Sequence, residues 1–239
     1  MAEVHHGVGH DGEVTSIDDR ARVDLVVPVK PLAKAKSRLR GAADGGIGEP
    51  RAHARLAMAL LRDTVDAVRA ARAVRHLLVV SSDPVVAAEL GVFGIDVAPD
   101  GPVPGLNPAY ERGAAILRER DPAAAVGALQ ADLPALRPEE LDDAIAAALA
   151  LFAGGARRAF VPDTEGTGTT FLLAAPLEPL APRFGEGSAR EHQASGALRL
   201  AGEWPGLRRD VDTAADLREA TTLGLGEHTA CALALIPGC

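Results

Sequence analysis

Short aliphatic runs alternate along this chain with longer stretches of helical periodicity, and that alternation restricts the fold more than any other feature. The runs at 23–29 (VDLVVPV), 76–81, 95–98, 125–130, 157–162 and 170–174 have the composition of buried strands. Between them, residues 50–72 put Leu56, Leu60, Thr64, Ala67, Val68 and Ala71 on one helical face, and 84–90 and 107–120 also read as helices. The clearest helix spans 138–152. It has Pro138 in its first turn, Glu139 and Glu140 against the positive end of the dipole, an apolar face of Leu141, Ile145, Leu149 and Phe152, and Gly154 to stop it. Strand, loop and helix repeating in this order specify an α/β domain with a mostly parallel central sheet.

A chain of 239 residues with 47% hydrophobic content can build one such domain, expected over 21–239. Residues 1–20 are rich in His, Gly and Asp without apolar periodicity and read as a flexible tail. The segment 176–205 is dense in Pro, Gly and charge. It is expected as loop and short helix over the C-terminal ends of the strands, where open α/β sheets bind ligands.

All three lysines, Lys30, Lys34 and Lys36, fall within seven residues, whereas the twenty-two arginines are spread from end to end. A compositional bias toward arginine explains why lysine is scarce but not why it is clustered. An ammonium on a flexible stem acts as a compact point charge and a guanidinium as a planar fork, so PVKPLAKAKSRLR reads as a polyphosphate-handling loop; a solvated basic turn is the plainer reading. The net charge of -8 excludes a general nucleic-acid binder, which needs a broad basic surface. Cys231 and Cys239 have no metal-ligand spacing and are expected as reduced thiols. The chain shows no basic-then-apolar leader and no apolar run of membrane-spanning length, so a cytoplasmic location is expected.

Asp132 follows an apolar run in QADLPAL, where Pro134 stops the strand and leaves a carboxylate at the binding edge, or simply a turn residue. Asp210 and Asp212, two apart in RDVDT, place both carboxylates on one side of an extended segment. Three such oxygen donors suit Mg²⁺, which combines a few carboxylates with waters and substrate phosphates. Asp212 is equally placed to cap the helix that TAADL begins. EGTGTT (165–170) has the composition of an anion-binding nest or of a plain turn. FGEGSAR (184–190) leads into a helix whose N-terminus would favour an anion, with Ser188 as an ordinary cap in the plainer reading. Gly105, Leu106 and Asn107 form a third turn, in which Asn107 could serve only as an N-cap.

Familiar alternatives are missing. AKS (35–37) lacks the glycines of a P-loop, no GxGxxG follows the first strand, and there is no GxSxG elbow. His53, His76, His192 and His228 lie in no recognisable triad context. What remains is a basic loop, acidic metal donors and glycine-rich turns on a parallel sheet, a combination that suits transfer between phosphates.

These residues resemble the guanylyltransferases of coenzyme F-420 synthesis, which use 2-phospho-L-lactate in archaea and phosphoenolpyruvate in actinobacteria. The likeness runs over about 23–228 and is carried by PVKxxxxAKSRL (28–39), Gly105–Leu106–Asn107, QADLPAL (130–136), GTGT (166–169), FGxGS (184–188) and DVDT (210–213). It implies a single Rossmann-like nucleotidyltransferase domain of the nucleotide-diphospho-sugar transferase type. It further implies that Asp132, Asp210 and Asp212 bind the metal, and that Thr169, Gly185 and Ser188 hold the three-carbon phosphate substrate. Lys30, Lys36 and Arg38 match the nucleotide loop and are also the expected catalytic cations; Gly105, Leu106 and Asn107 are expected at the nucleotide. Lys34 has no counterpart, and Pro108 departs from the family pattern.

The activity so implied is transfer of GMP from GTP to phosphoenolpyruvate with release of pyrophosphate, using Mg²⁺ as cofactor. The expected partners are GTP, a small phosphorylated three-carbon acid and the next enzyme of the pathway, with no nucleic acid and no membrane. The arginine- and alanine-rich composition, associated with high-GC actinobacterial genomes, tips the acceptor toward phosphoenolpyruvate. The alternatives are the same chemistry on 2-phospho-L-lactate or 3-phosphoglycerate, another nucleotidyltransferase acting on a sugar phosphate or molybdenum cofactor precursor, and a non-catalytic nucleotide-binding protein.

Overall fold

The computed structural model describes residues 22–32 and 39–234; the tail expected over 1–20 and the loop residues Lys34, Lys36 and Arg38 lie outside the described residues. The first half of the chain alternates strand and helix: β1 (Val23–Pro28), α1 (Pro50–Ala70), β2 (Val74–Val80), α2 (Pro84–Val92), β3 (Asp96–Ala98), α3 (Leu106–Arg120), β4 (Val126–Leu129) and α4 (Pro138–Ala153). The second half adds β5 (Arg158–Pro162), β6 (Thr169–Ala174), α5 (Ser188–Ala194), β7 (Leu198–Arg199), α6 (Pro205–Arg208), α7 (Ala214–Leu223) and α8 (Glu227–Ala232). The strands form one sheet in the order β3-β2-β1-β4-β6-β5-β7. Its ladders are parallel except the two that β6 makes with β4 and β5. Only residues 163–168 separate β5 from β6, too few for the crossover that parallel pairing requires, so the chain turns back as a hairpin.

Period-two alternation sends Leu25 and Val27 of β1 into the core layer shared with α1 and α4, and Val26 into the layer shared with α3. On that second face Gly113 lets α3 reach the sheet, because a Cβ there would lie 2.3 Å from Val26 Cγ1. α4 starts at Pro138 and ends at Gly154, as the sequence indicates. α7 is capped not by Asp212 but by Thr213, in a reciprocal capping box with Asp216. Neither β7 nor α8 has a sequence signature. β7 exists through its pairing with β5, and the first N–H groups of α8 are taken by Asp63 of α1, which accepts from His228 N at 3.0 Å and Thr229 N at 2.8 Å. Cys231 of α8 is disulfide-bonded, in place of the reduced thiol expected.

The order β3-β2-β1-β4 makes the boundary between β1 and β4 the topological switch point, where connections leave toward opposite edges of the sheet and a crevice opens at the C-terminal strand ends. Among the described residues no helix is long and apolar enough to cross a membrane.

Candidate active site

A cavity of about 840 Å³ lies at that switch point. Pro28, Val29 and Lys30 enter it from the end of β1, and Gln130, Ala131 and Asp132 from the end of β4. Thr167, Gly168 and Thr169 of the β5–β6 hairpin, the turn 185–188, and Asp210 and Asp212 also line it. Segments far apart in sequence meet here because each follows, precedes or braces the end of a strand.

Asp132 is only 6% exposed. Its turn is fixed by Thr64 of α1, whose buried hydroxyl accepts from Leu133 N at 2.9 Å and approaches the carbonyls of Leu60 (2.9 Å) and Ala131 (3.3 Å). The DVD segment is tied to the same turn, since Val211 N donates to the Asp132 carbonyl at 3.1 Å. Val211 is fully buried against Leu39, Leu56 and Leu60, which leaves its neighbours Asp210 and Asp212 to face the cavity. Upstream, Arg209 is anchored by Glu165 (2.9 Å) and Glu219 (2.7 Å), and the Arg208 carbonyl accepts from Thr164 N at 2.9 Å.

The hairpin 163–168 is not the open anion nest that its glycines suggest. Asp163 fills it: Oδ1 accepts from Thr167 N at 2.9 Å and Oδ2 from Gly168 N at 2.7 Å. A Cβ on Gly168 would sit 2.2 Å from that Oδ2, so the glycine is needed for the internal cap. The turn 184–188 is held from two sides. Asn107 forms a two-way amide clasp on Phe184, donating to its carbonyl (3.0 Å) and accepting from its N–H (2.8 Å), while the Phe184 ring stacks on Tyr110. Gly185 (φ 139°) and Gly187 (φ 68°) take positive φ within this turn. Gly187 is the N-cap of α5, so Ser188 is not the cap that its plainer reading proposed; it is the first helical residue, nearly fully buried, and lines the cavity. Beneath the turn lies His192, which joins Thr169 Oγ1 (3.0 Å) to Arg183 N (2.9 Å).

Of the site residues expected from sequence and within the described residues, Lys30, Leu106, Asp132, Thr169, Gly185, Ser188, Asp210 and Asp212 line one cavity. Gly105 does not line it; it is the N-cap of α3, with φ 133°. Asn107 also stands outside it, its amide committed to Phe184. Lys36 and Arg38 lie outside the described residues. Sequence reasoning gave no role to Asp163, Glu186 or His192. The spacing Asp163-x-x-Gly-x-Gly was a usable signal for an aspartate-capped turn, whereas nothing around His192 distinguishes it from a surface helix residue. Among the described lining residues Asp132, Asp163, Glu186, Asp210 and Asp212 are acidic and Lys30 is the one lysine. Among the described residues no three His, Cys, Asp or Glu side chains form a ready-made metal cage.

A mostly parallel sheet with a cavity at its switch point is the architecture of the nucleotide-diphospho-sugar transferase type of fold. The fold is similar to that of a nucleotidyl transferase from Methanothermobacter (TM-score 0.59, 16% identity, 84% of this chain and 97% of that one). It is also similar to that of a Desulfovibrio desulfuricans protein assigned as a nucleotide-diphospho-sugar transferase (TM-score 0.55, 16% identity, 84% and 96%). No family model matches the chain. In sequence it is 54% identical over 209 residues to the phosphoenolpyruvate guanylyltransferase of Geodermatophilus obscurus, covering 87% of this chain and 93% of that one. It is 53% identical over 206 residues to the enzyme of the same name from Salinispora arenicola (86% and 91%), and 48% over 224 residues to that of Thermomonospora curvata (93% and 93%). The chain belongs to the phosphoenolpyruvate guanylyltransferase family.

Proposed function

We propose that this chain transfers the guanylyl group of GTP to the phosphate of phosphoenolpyruvate, forming enolpyruvyl-diphospho-guanosine for coenzyme F-420 synthesis. The observation that carries the reading is the convergence on one cavity of Lys30, the carboxylates of Asp132, Asp210 and Asp212, and the turns bearing Thr169, Gly185 and Ser188. A phosphate oxygen of phosphoenolpyruvate attacks the α-phosphorus of GTP; the bond from that phosphorus to the oxygen bridging the β-phosphate breaks, and pyrophosphate leaves. The nucleophile is already an anion, so no general base is required. The obstacle is repulsion between two polyanions, and the protein must supply position and countercharge.

Lys30, with Lys36 and Arg38 of the same loop, neutralises charge gathering on the departing pyrophosphate. Thr169, Ser188 and the backbone of Gly185 hold phosphoenolpyruvate, and Leu106, the one residue of the Gly105–Leu106–Asn107 turn that lines the cavity, supports the nucleotide, while Asn107 braces the turn that carries Gly185 and Ser188. Among the described lining residues carboxylates outnumber cations, and the donor set fits Mg²⁺, which takes few protein ligands and completes its shell with water and phosphate. Asp132, Asp210 and Asp212 would hold it, and bound there it supplies charge neutralisation and polarisation of the α-phosphoryl group.

The test is a mass-spectrometric assay offering GTP, Mg²⁺ and, in turn, phosphoenolpyruvate, 2-phospho-L-lactate and 3-phosphoglycerate. Pyrophosphate and the guanylyl adduct are expected with phosphoenolpyruvate at the highest rate. A preference for another acid overturns the acceptor, and silence with all three overturns the transfer.

A further inference from the structure

We propose that His192 is a positioning residue that fixes the direction of the Thr169 hydroxyl: the ring donates to Thr169 Oγ1, and the hydroxyl proton is thereby turned into the cavity as a donor for the anionic acceptor substrate. This rests on the reading of Thr169 as a phosphoenolpyruvate-binding residue.

The assignment follows from proton bookkeeping at one buried ring. His192 is 0% exposed and packs against the rings of Phe160 and Phe184. Its Nε2 is 2.9 Å from Arg183 N, and a backbone N–H can only donate, so Nε2 carries a lone pair. A neutral imidazole has one ring proton, which must then sit on Nδ1. Nδ1 is 3.0 Å from Thr169 Oγ1 and therefore donates to it; the Ser188 backbone also hydrogen-bonds the ring. The doubly protonated ring would aim N–H at N–H. Burial, and the charges of Arg158 and Arg183, also oppose it and hold the ring's pKa down to about 4. Thr169 Oγ1 thus has a lone pair occupied from behind and cannot donate to the ring.

A hydroxyl can present either a proton or a lone pair, and only the proton attracts a phosphate or carboxylate. Thr169 is 3% exposed and lines the cavity, so with the ring closed to its proton the cavity is the side on which a substrate anion can receive it. The donor is set before the substrate arrives, which is how a preorganised dipole avoids reorganisation on binding.

Two measurements decide the matter. In ¹⁵N-histidine-labelled protein at pH 7, the ring proton in contact with the Thr169 methyl is expected on Nδ1 of a neutral imidazole; an Nε2–H or a charged ring overturns the proposal, and this arm needs no variant to fold. Phosphoenolpyruvate affinity is then measured by calorimetry for the wild type, Thr169→Val, His192→Phe, the double variant and His192→Asn. Each of the first two changes is expected to weaken binding by roughly 10- to 100-fold, the double variant no further than the weaker single one, with GTP affinity unmoved. His192→Asn, which keeps an amide N–H near the Nδ1 position, is expected to recover most of the affinity. Additive losses, or equal losses in the Asn and Phe variants, sink the positioning role while leaving Thr169 as a ligand. An unchanged affinity in Thr169→Val removes the reading of Thr169 itself and this inference with it.

Discussion

The backbone N–H of Val211 donates to the carbonyl of Asp132 at 3.1 Å, and this single bond registers two acidic segments that the sequence separates widely. Its effect depends on side-chain alternation. Val211 points into a satellite core with Leu56, Leu60 and Ala220, so the carboxylates on either side of it are presented with Asp132 to the same cavity. An apolar anchor and a backbone bond thus bring the three residues to one cavity.

Asp132→Asn keeps the shape of the turn and removes one negative charge. Turnover is expected to fall by about 10²-fold or more, the scale of losses at electrostatic catalytic groups. Chelation of divalent ions is expected to abolish turnover in the wild type without unfolding it. Steady-state kinetics, with and without chelator, and a thermal melt check both statements; an Asn variant with undiminished kcat and the same Mg²⁺ dependence contradicts the role.

Thr64→Val tests the support beneath Asp132. The substitution preserves volume but leaves the buried Leu133 N–H without its acceptor, 2.9 Å away in the wild type, at a cost of about 1–3 kcal/mol. Urea unfolding should show that loss, and kcat should fall with it because the turn carrying the carboxylate is loosened. Full stability in the variant would mean that the N–H finds another acceptor.

Asn107→Ala separates two roles for one residue. As a nucleotide contact, Asn107 would raise the KM for GTP when truncated. Its clasp on both the N–H and the carbonyl of Phe184 instead predicts that the turn carrying Gly185 and Ser188 is released, so the KM for phosphoenolpyruvate rises and that for GTP stays put. Initial-rate measurements varying each substrate in turn distinguish the two.

The strands and helices of the first half were legible because each carries its own pattern: aliphatic continuity in β1, a single apolar face in α1, and Pro138 and Gly154 bracketing α4. The reversal at β6 was also available, in the shortness of 163–168 rather than in composition. Other features had no local signal. β7 is two residues stabilised by a neighbour, α8 depends on Asp63 of a distant helix, and the glycines of 166–168 suggest an anion seat that Asp163 already fills. Asp132, Asp210 and Asp212 could be picked from the sequence as residues that would line one cavity. What holds them there, the Thr64 and Val211 contacts, is tertiary, as is the meeting of His192 with Thr169 and Arg183 N.

The depressed pKa of His192 makes a signed prediction about acid stability. The ring is neutral in both folded and unfolded chains at pH 7. As pH falls below 6.5 the unfolded chain binds a proton that the folded one refuses until about pH 4, so stability from this group is lost across that window and is constant below it. The full loss is at most about 3 kcal/mol, of which about 2 kcal/mol falls between pH 7 and pH 5. The charges opposing protonation are those of Arg158 and Arg183, which keep their charge throughout the window. Urea unfolding of the wild type and of His192→Phe at pH 7 and pH 5 isolates the term, because the remaining titratable groups are common to both chains. The wild type is expected to lose about 2 kcal/mol more than the variant over that interval; equal losses would show that the ring accepts a proton in the folded state as readily as in the unfolded one.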